Sequence, residues 1–200
     1  MDTIKINEFG YSEMYEWNDT PENNLKYGKF VSFSKENPSK IEFYNSSKHD
    51  DVLGVATINA VCVSDNPEEW PKKYLMNEVG DLFLTNEVLS VGERVYDEGL
   101  ELSFIRTKKW EHLIKITNKA YNNDNNYIKR SQRQEWTRVS LLGKTIVKDN
   151  GKCVPGEYCM PYVGKVTKNL GTAVPATDDA KHKYYVIERL SENSILILNK

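Results

Sequence analysis

RSQRQEWTRVSLLGKTIVKDNGKCVPGEYCMPYVGKVTK, residues 130–168, is the passage from which the rest of the chain can be placed. Trp136, Val139, Leu141 and Leu142 lead into Gly143. Thr145 and Val147 then alternate with Lys144 and Lys148, and Asp149-Asn150-Gly151 follows as a turn signal. A period of two puts successive side chains on opposite faces of a strand, and Asn-Gly supplies the backbone freedom of a tight reversal. Gly156 and Gly164 fall where a meandering sheet would reverse again. The segment reads as the middle of a small β-domain.

The flanking sequence carries the same texture. Residues 2–17 alternate well enough to be extended, with Ile4 and Ile6 first, then Tyr11, Glu13, Tyr15 and Trp17 on one face and Ser12, Met14 and Glu16 on the other. YGKFVSF (27–33) reads as a strand with residues 41–44 as its hairpin partner. VLGVATINAVCV (52–63) is β-branched and almost wholly apolar, as a doubly buried strand or a tight strand pair would be. A final hairpin is expected from 184–190 and 195–198. Between them, residues 84–126 change character: strands are expected at 91–95 and 102–105, a short amphipathic helix at 108–120 with Trp110, Leu113, Ile114 and Ile116 inward, and a polar loop at 121–126. The expectation is a mainly β fold: a single domain over 1–200, a compact antiparallel β-barrel or sandwich-like arrangement, with 84–126 as an insertion carrying a short helix.

Composition excludes several classes of function. The 27 basic and 29 acidic residues are interspersed and give a net charge of −2, so no electrostatic footprint for nucleic acid exists. No run of about 18 apolar residues is present for a membrane span, and the first residues lack the basic-then-apolar plan of a signal peptide. Folding in a cytoplasm is expected, with no membrane partner. Cys62, Cys153 and Cys159 form no framework; they read as free thiols, with a Cys153–Cys159 disulfide or a metal site as the other reading. His49, His112 and His182 are isolated from one another and from the cysteines, so neither a metal nor a cofactor is expected.

Two apparent motifs dissolve on inspection. Gly143-Lys144-Thr145 ends like a phosphate loop, but the glycine required five residues earlier is Arg138. Ser140 and Lys144 would lie about 13 Å apart on a strand, too far for proton transfer. Carboxylates carry more. Glu13 shares its strand face with Tyr11, Tyr15 and Trp17, and desolvation among rings is expected to raise its pKa and keep it protonated as a general acid, unless the rings merely cover its stem. Glu-Trp recurs at Glu16-Trp17, Glu69-Trp70 and Glu135-Trp136. Arg130, Arg133 and Arg138 flank Glu135 and are placed to pair with it, or with Glu13 or Glu16.

Six stretches taken in order resemble one family: GYSEMYEW (10–17), YGKFVSF (27–33), LGVATINAV (53–61), EWPKKYLMNEVGD (69–81), RSQRQEWTRVSLLGKTIVKDNGKCVPGEYCM (130–160) and YYVIERLSENSILIL (184–198). They are similar to the autoproteolytic intramolecular-chaperone domain that ends phage pre-neck appendage and tailspike proteins and is classed as a glutamic-type peptidase. The resemblance spans nearly the whole chain except about 84–126. It implies a homotrimeric carboxy-terminal domain that brings an upstream spike or fibre segment into register and then cuts itself away in cis, a single-turnover endopeptidase. Long-range register is entropically costly, and a separately folding trimer raises the effective concentration of the strands to be paired.

The family's carboxylate motif maps onto Glu13 and Glu16 as the catalytic pair, with Glu135, Arg133, Arg138 and Ser12 as supporting candidates. Where members carry Asp-Tyr-Ala-Glu, this chain has Gly10-Tyr11-Ser12-Glu13. The glycine favours the alternative, a non-catalytic virion module that kept the fold, lost the cut and binds a glycan or protein through its aromatics. The resemblance places the domain in the host cytoplasm during assembly and its parent protein in the virion.

Overall fold

One long strand organises the molecule. In the computed structural model, which describes residues 10–67, 69–89, 94–97, 102–105, 110–121 and 127–199, β10 (Trp136–Lys148) runs for 13 residues straight through Gly143. The strands that precede it are β1 (Gly10–Trp17), β2 (Lys29–Phe33), β3 (Lys40–Phe43), β4 (Gly54–Thr57), β5 (Cys62–Ser64), β6 (Leu84–Leu89), β7 (Arg94–Asp97), β8 (Leu102–Ile105) and β9 (Trp110–Lys115). Those that follow are β11 (Tyr158–Pro161), β12 (Ala173–Pro175), β13 (Tyr184–Ser191) and β14 (Ser194–Asn199), and a one-turn helix α1 (Asn23–Lys26) precedes β2. The protein is mainly β, as expected, and no helix among the described residues is long and apolar enough to cross a membrane.

Contacts divide the chain into two units, residues 1–67 with 128–200, and residues 68–127. The first holds a ten-stranded sheet in the order β12-β11-β13-β14-β10-β4-β2-β3-β1-β5, with a further pairing of β1 to β10. That pairing closes a circuit of five strands, β10-β4-β2-β3-β1. The sheet is mixed where an antiparallel one was expected, because β1 runs parallel to β3 and to β5 while its other edge is antiparallel to β10. The antiparallel β2–β3 hairpin turns the chain back alongside β1 in the same direction.

Gly143 makes β10 serve two cores. Tyr11 pairs with Leu142 but Ser12 with Ser140, so Leu141 is an extra residue, and Gly143 beside it takes φ 100°. An extra residue reverses the parity of the strand. Before it, Val139 joins Trp17, Val31, Ile41 and Ala56, one residue from each of the five strands of the circuit. After it, Val147 joins Phe30, Val55, Val186, Ile195 and Ile197 in a second cluster that also buries Cys153, Cys159 and Ala173. Each large apolar side chain so buried contributes about 1.5–3 kcal/mol. All three cysteines are free thiols, Cys62 exposed and the other two buried.

Several sequence expectations shift at their edges. The 52–63 run becomes the fully buried β4 and the separate β5. Residues 2–9 of the expected first strand, 91–93 of the next and the 122–126 loop lie outside the described residues. The helix expected over 108–120 is corrected: residues 110–115 form β9, paired antiparallel with β6, so that Leu113 faces Asn86 and Ile114 faces Thr85. An apolar spacing of three and four fits a helix face, but the hydrogen-bonding edge of 84–89 draws this segment into a sheet, where Leu113, Ile114, Lys115 and Ile116 alternate between exposed and half-buried. A separate pair joins β7 to β8, and Trp70 stacks on Tyr121 at 5.6 Å within the same 68–127 unit.

A buried ion pair fastens the far end of β10. Asp149, whose side chain is 0 % exposed, accepts from Arg189 at 2.8 and 3.3 Å and from the Cys153 amide at 3.2 Å. Arg189 also donates to the carbonyls of Ser191 and Glu192, at 3.1 Å each, and to that of Cys153. Arg189→Met is expected to cost roughly 3 kcal/mol in denaturant unfolding by stranding the carboxylate. The double variant D149N/R189M is expected to recover part of that loss, since no unpaired charge remains.

Candidate functional site

The strand β1 carries the candidate residues, and its alternation decides what each one meets. Ser12 and Met14 point to one face and are buried; Tyr11, Glu13 and Tyr15 point to the other and are half-buried. Being three residues apart, Glu13 and Glu16 face opposite sides of the sheet. The fold therefore does not bring the expected pair together. Glu16 is held by the Lys40 ammonium at 2.7 Å, a contact made by the parallel register of β1 on β3.

Glu13 lies in a cradle of hydroxyls. The Tyr11 phenol donates to its Oε1, and the Tyr15 phenol donates to its Oε2 at 2.8 Å. Tyr11 Oη in turn lies 2.7 Å from the Ser64 hydroxyl, which the parallel pairing of β5 on β1 sets alongside Glu13. Tyr15 is packed edge-on against Phe33, ring centres 5.7 Å apart. Hydrogen bonds to the ionised form outweigh desolvation: Tyr11 first, then Tyr15, hold the Glu13 carboxyl below the usual glutamate range. The expectation of a raised pKa is thus corrected, because the rings turn their hydroxyls, and not only their faces, toward the carboxylate. The phenols pay the reciprocal shift. Tyr11 is raised by its bond to Glu13, and burial together with Glu13 pushes Tyr15 up to about 12. At neutral pH the site is one carboxylate anion with two firmly protonated phenols, an arrangement that accepts a proton and does not supply one from Glu13.

The supporting candidates form a separate cluster at the start of β10. Arg133 grips Glu135 through Nε at 2.8 Å and through a terminal nitrogen at 2.5 Å. Its own backbone N–H, then Arg133, keep Glu135 below the ordinary carboxylate range. Arg138 leaves that cluster and donates to the Ile58 carbonyl. Arg130 pairs with Asp65 and stacks over Trp136 at 4.0 Å. Sequence reasoning missed Lys26, 1 % exposed, whose ammonium donates to the carbonyls of Gln134 and Trp136 and whose pKa is lowered by burial. No local pattern marks a lysine that caps a strand more than a hundred residues away.

Gly10 and Ser12 sit against the kink of β10. A side chain at Gly10 would place its Cβ 2.8 Å from the Leu142 carbonyl, with Ser140 Oγ at 3.6 Å. Ser12, 0 % exposed, pairs in register with the buried Ser140, and neither hydroxyl has a hydrogen-bond partner among the described residues. No group of side chains suited to a metal ion occurs among the described residues.

Comparison with known proteins assigns the family. A family model described as Peptidase_G2, IMC autoproteolytic cleavage domain, matches residues 2–188. The crystal structure of the pre-mature bacteriophage phi29 gene product 12 is similar with a TM-score of 0.63 at 23 % identity, covering 100 % of this chain and 23 % of that one. The crystal structure of the C-terminal fragment of the same phage protein is similar with a TM-score of 0.60 at 24 % identity, covering 95 % of this chain and 99 % of the fragment. At these identities the likeness is one of fold, and this chain spans under a quarter of the pre-mature protein's length. No curated protein matches. The family match extends over both the Tyr11-Glu13-Tyr15 cradle and the β10 scaffold that supports it, and the chain belongs to the Peptidase_G2 family of IMC (intramolecular-chaperone) autoproteolytic cleavage domains.

Proposed function

We propose that this chain is the intramolecular-chaperone domain of a phage appendage, fibre or tailspike protein, and that it parts from the upstream segment by a single self-cleavage in which Glu13 is the base. In this reading the domain associates as a homotrimer in the host cytoplasm and holds three upstream segments in register. The parent protein then enters the virion. The single observation that carries the catalytic assignment is the Glu13 carboxylate, kept ionised between two phenol donors on the strand that begins at Gly10. Likeness to a pre-mature phage protein and to its C-terminal fragment supports the parentage. Glu16, on the opposite face and bound to Lys40, anchors β1 and is not the second catalytic acid in this reading. Glu135 and Arg133 brace the start of β10.

Gly10 favours a second reading, a non-catalytic virion structural module that kept the fold, lost the cut and binds a glycan or another protein through its surface. The family resemblance implies an aspartate at this point, whereas here a Cβ would come within 2.8 Å of Leu142 O, so the β10 backbone would have to shift to admit one. The two readings separate in a fusion of a spike segment ahead of Gly10. Self-processing that falls at least about 10²-fold in Glu13→Gln but not in Glu16→Gln supports the first; a stable, uncut, trimeric fusion supports the second. Light scattering at micromolar concentration is expected to give the mass of three chains, and a strict monomer overturns the chaperone reading.

The cradle also sets a pH signature. A carboxyl whose folded-state pKa is depressed contributes stability that is fully present above its ordinary value of 4.5 and is lost as pH falls through the folded value. Carbon-13 NMR of the Glu13 carboxyl is expected to show a midpoint below 4.5. Tyr11→Phe is expected to move that midpoint upward, because Tyr11 is the larger cause of the depression. An unchanged midpoint would show that the phenol does not hold the anion.

A further inference from the structure

Ser64 completes a chain of hydrogen bonds that neither the family carboxylates nor the sequence pattern points to. An ionised carboxylate can only accept, so the Tyr11 phenolic proton is committed to Glu13 Oε1. With that proton so placed, the 2.7 Å contact between Tyr11 Oη and Ser64 Oγ is satisfied when the serine hydroxyl donates to the phenol oxygen, and Ser64 also lies close enough to Glu13 to help hold the anion. The order is serine, phenol, carboxylate, with Tyr15 holding the far carboxylate oxygen. That is the arrangement of a nucleophile bonded to a proton acceptor that is itself oriented by a third group.

The backbone around Ser64 supplies an independent observation. Asp65, the next residue, has φ 54°, the one non-glycine among the described residues in the left-handed region. Such residues persist where surrounding contacts over-determine them. Here Arg130 clamps Asp65 by ion pairing with its carboxylate and by donating to its carbonyl at 2.9 Å, while the Ser131 amide donates to Asn66 Oδ1 at 3.1 Å. A pinned, strained turn thus presents Ser64 at the end of β5. The residue is half-buried, and with its proton given to Tyr11 both lone pairs of the hydroxyl face a substrate.

We propose that Ser64 is a serine nucleophile for peptide acyl transfer, activated through Tyr11 by Glu13. The inference rests on the reading of Glu13 as the base. Ser64 Oγ bonds to the scissile carbonyl carbon as its proton passes to Tyr11 Oη and the phenolic proton passes to Glu13 Oε1. The carbon–nitrogen bond then breaks, and the departing nitrogen takes the proton back along the same path. An ester on Ser64 results, and water hydrolyses it to the free carboxylate and restores the hydroxyl.

The test uses the whole chain and diisopropyl fluorophosphate, which phosphorylates an activated serine with loss of fluoride. Peptide mass mapping is expected to find one adduct per chain, on Ser64, absent in Ser64→Ala and formed at least about tenfold more slowly in Tyr11→Phe and Glu13→Gln. Glu16→Gln is expected to react as the parent does. No adduct at Ser64, or one whose rate ignores Tyr11, overturns the proposal. Ser64→Cys provides a second variant of similar size, whose thiol is expected to alkylate with iodoacetamide in a Tyr11-dependent way; Tyr11-independent alkylation counts against the relay. The spike fusion distinguishes the two levels of inference. Processing that needs Glu13 but proceeds undiminished in Ser64→Ala removes Ser64 and leaves Glu13 as base. Tyr11-dependent labelling in a chain whose fusion is never processed removes the self-cleavage reading and keeps the activated serine.

Discussion

The structure depends on one extra residue in β10. Leu141, looped out of register beside the positive φ of Gly143, reverses which face of the strand is buried. A regular 13-residue strand would send all its odd residues to one side, and only one of the two apolar clusters could use them. With the parity reversed, Val139 closes the five-strand circuit and Val147 enters the core shared with β13 and β14. One strand is thereby a wall of both, and a disturbance at the kink is transmitted to each.

The same kink shapes the candidate site from behind. β1 lies on β10 across the irregularity, so Gly10 approaches the β10 backbone too closely for a side chain, while Ser12 and Ser140 meet face to face. At the edge of β1 away from β10, β5 and β3 take consecutive positions and deliver Ser64 and Lys40 to two different glutamates, one on each face of the strand. The chemistry of the strand is thus divided by its pleat. Glu13 belongs to a network of hydroxyls and Glu16 to an ion pair, although only two residues separate them.

Electrostatics follow from this geometry more than from composition. Aromatic neighbours were expected to desolvate Glu13 and favour its neutral form. They favour the anion because two phenol donors converge on it, and a hydrogen bond to the charged form outweighs partial burial. Three arginines near Glu135 likewise divide their partners: Arg133 takes the carboxylate, Arg130 takes Asp65 on the β5 turn, and Arg138 takes a backbone carbonyl. By holding Asp65, Arg130 connects the start of β10 to the residue next to Ser64.

The amino-acid sequence by itself determined the β character, the strands at 27–33 and 41–44, the closing hairpin and the face on which Glu13 lies with Tyr11 and Tyr15, because each rests on a local period of two or on turn residues within a few positions. The order of its motifs also carried the family. Only the tertiary structure decided that residues 110–115 are a strand, since a spacing of three and four suits a helix until the partner edge at 84–89 is present. It alone decided that Glu13 is an anion and that Ser64 stands beside it, fifty-three positions from Tyr11. Parallel pairing of β5 on β1 is a long-range choice made by burial and backbone hydrogen bonding, and no pattern within either segment encodes which strand the other will find.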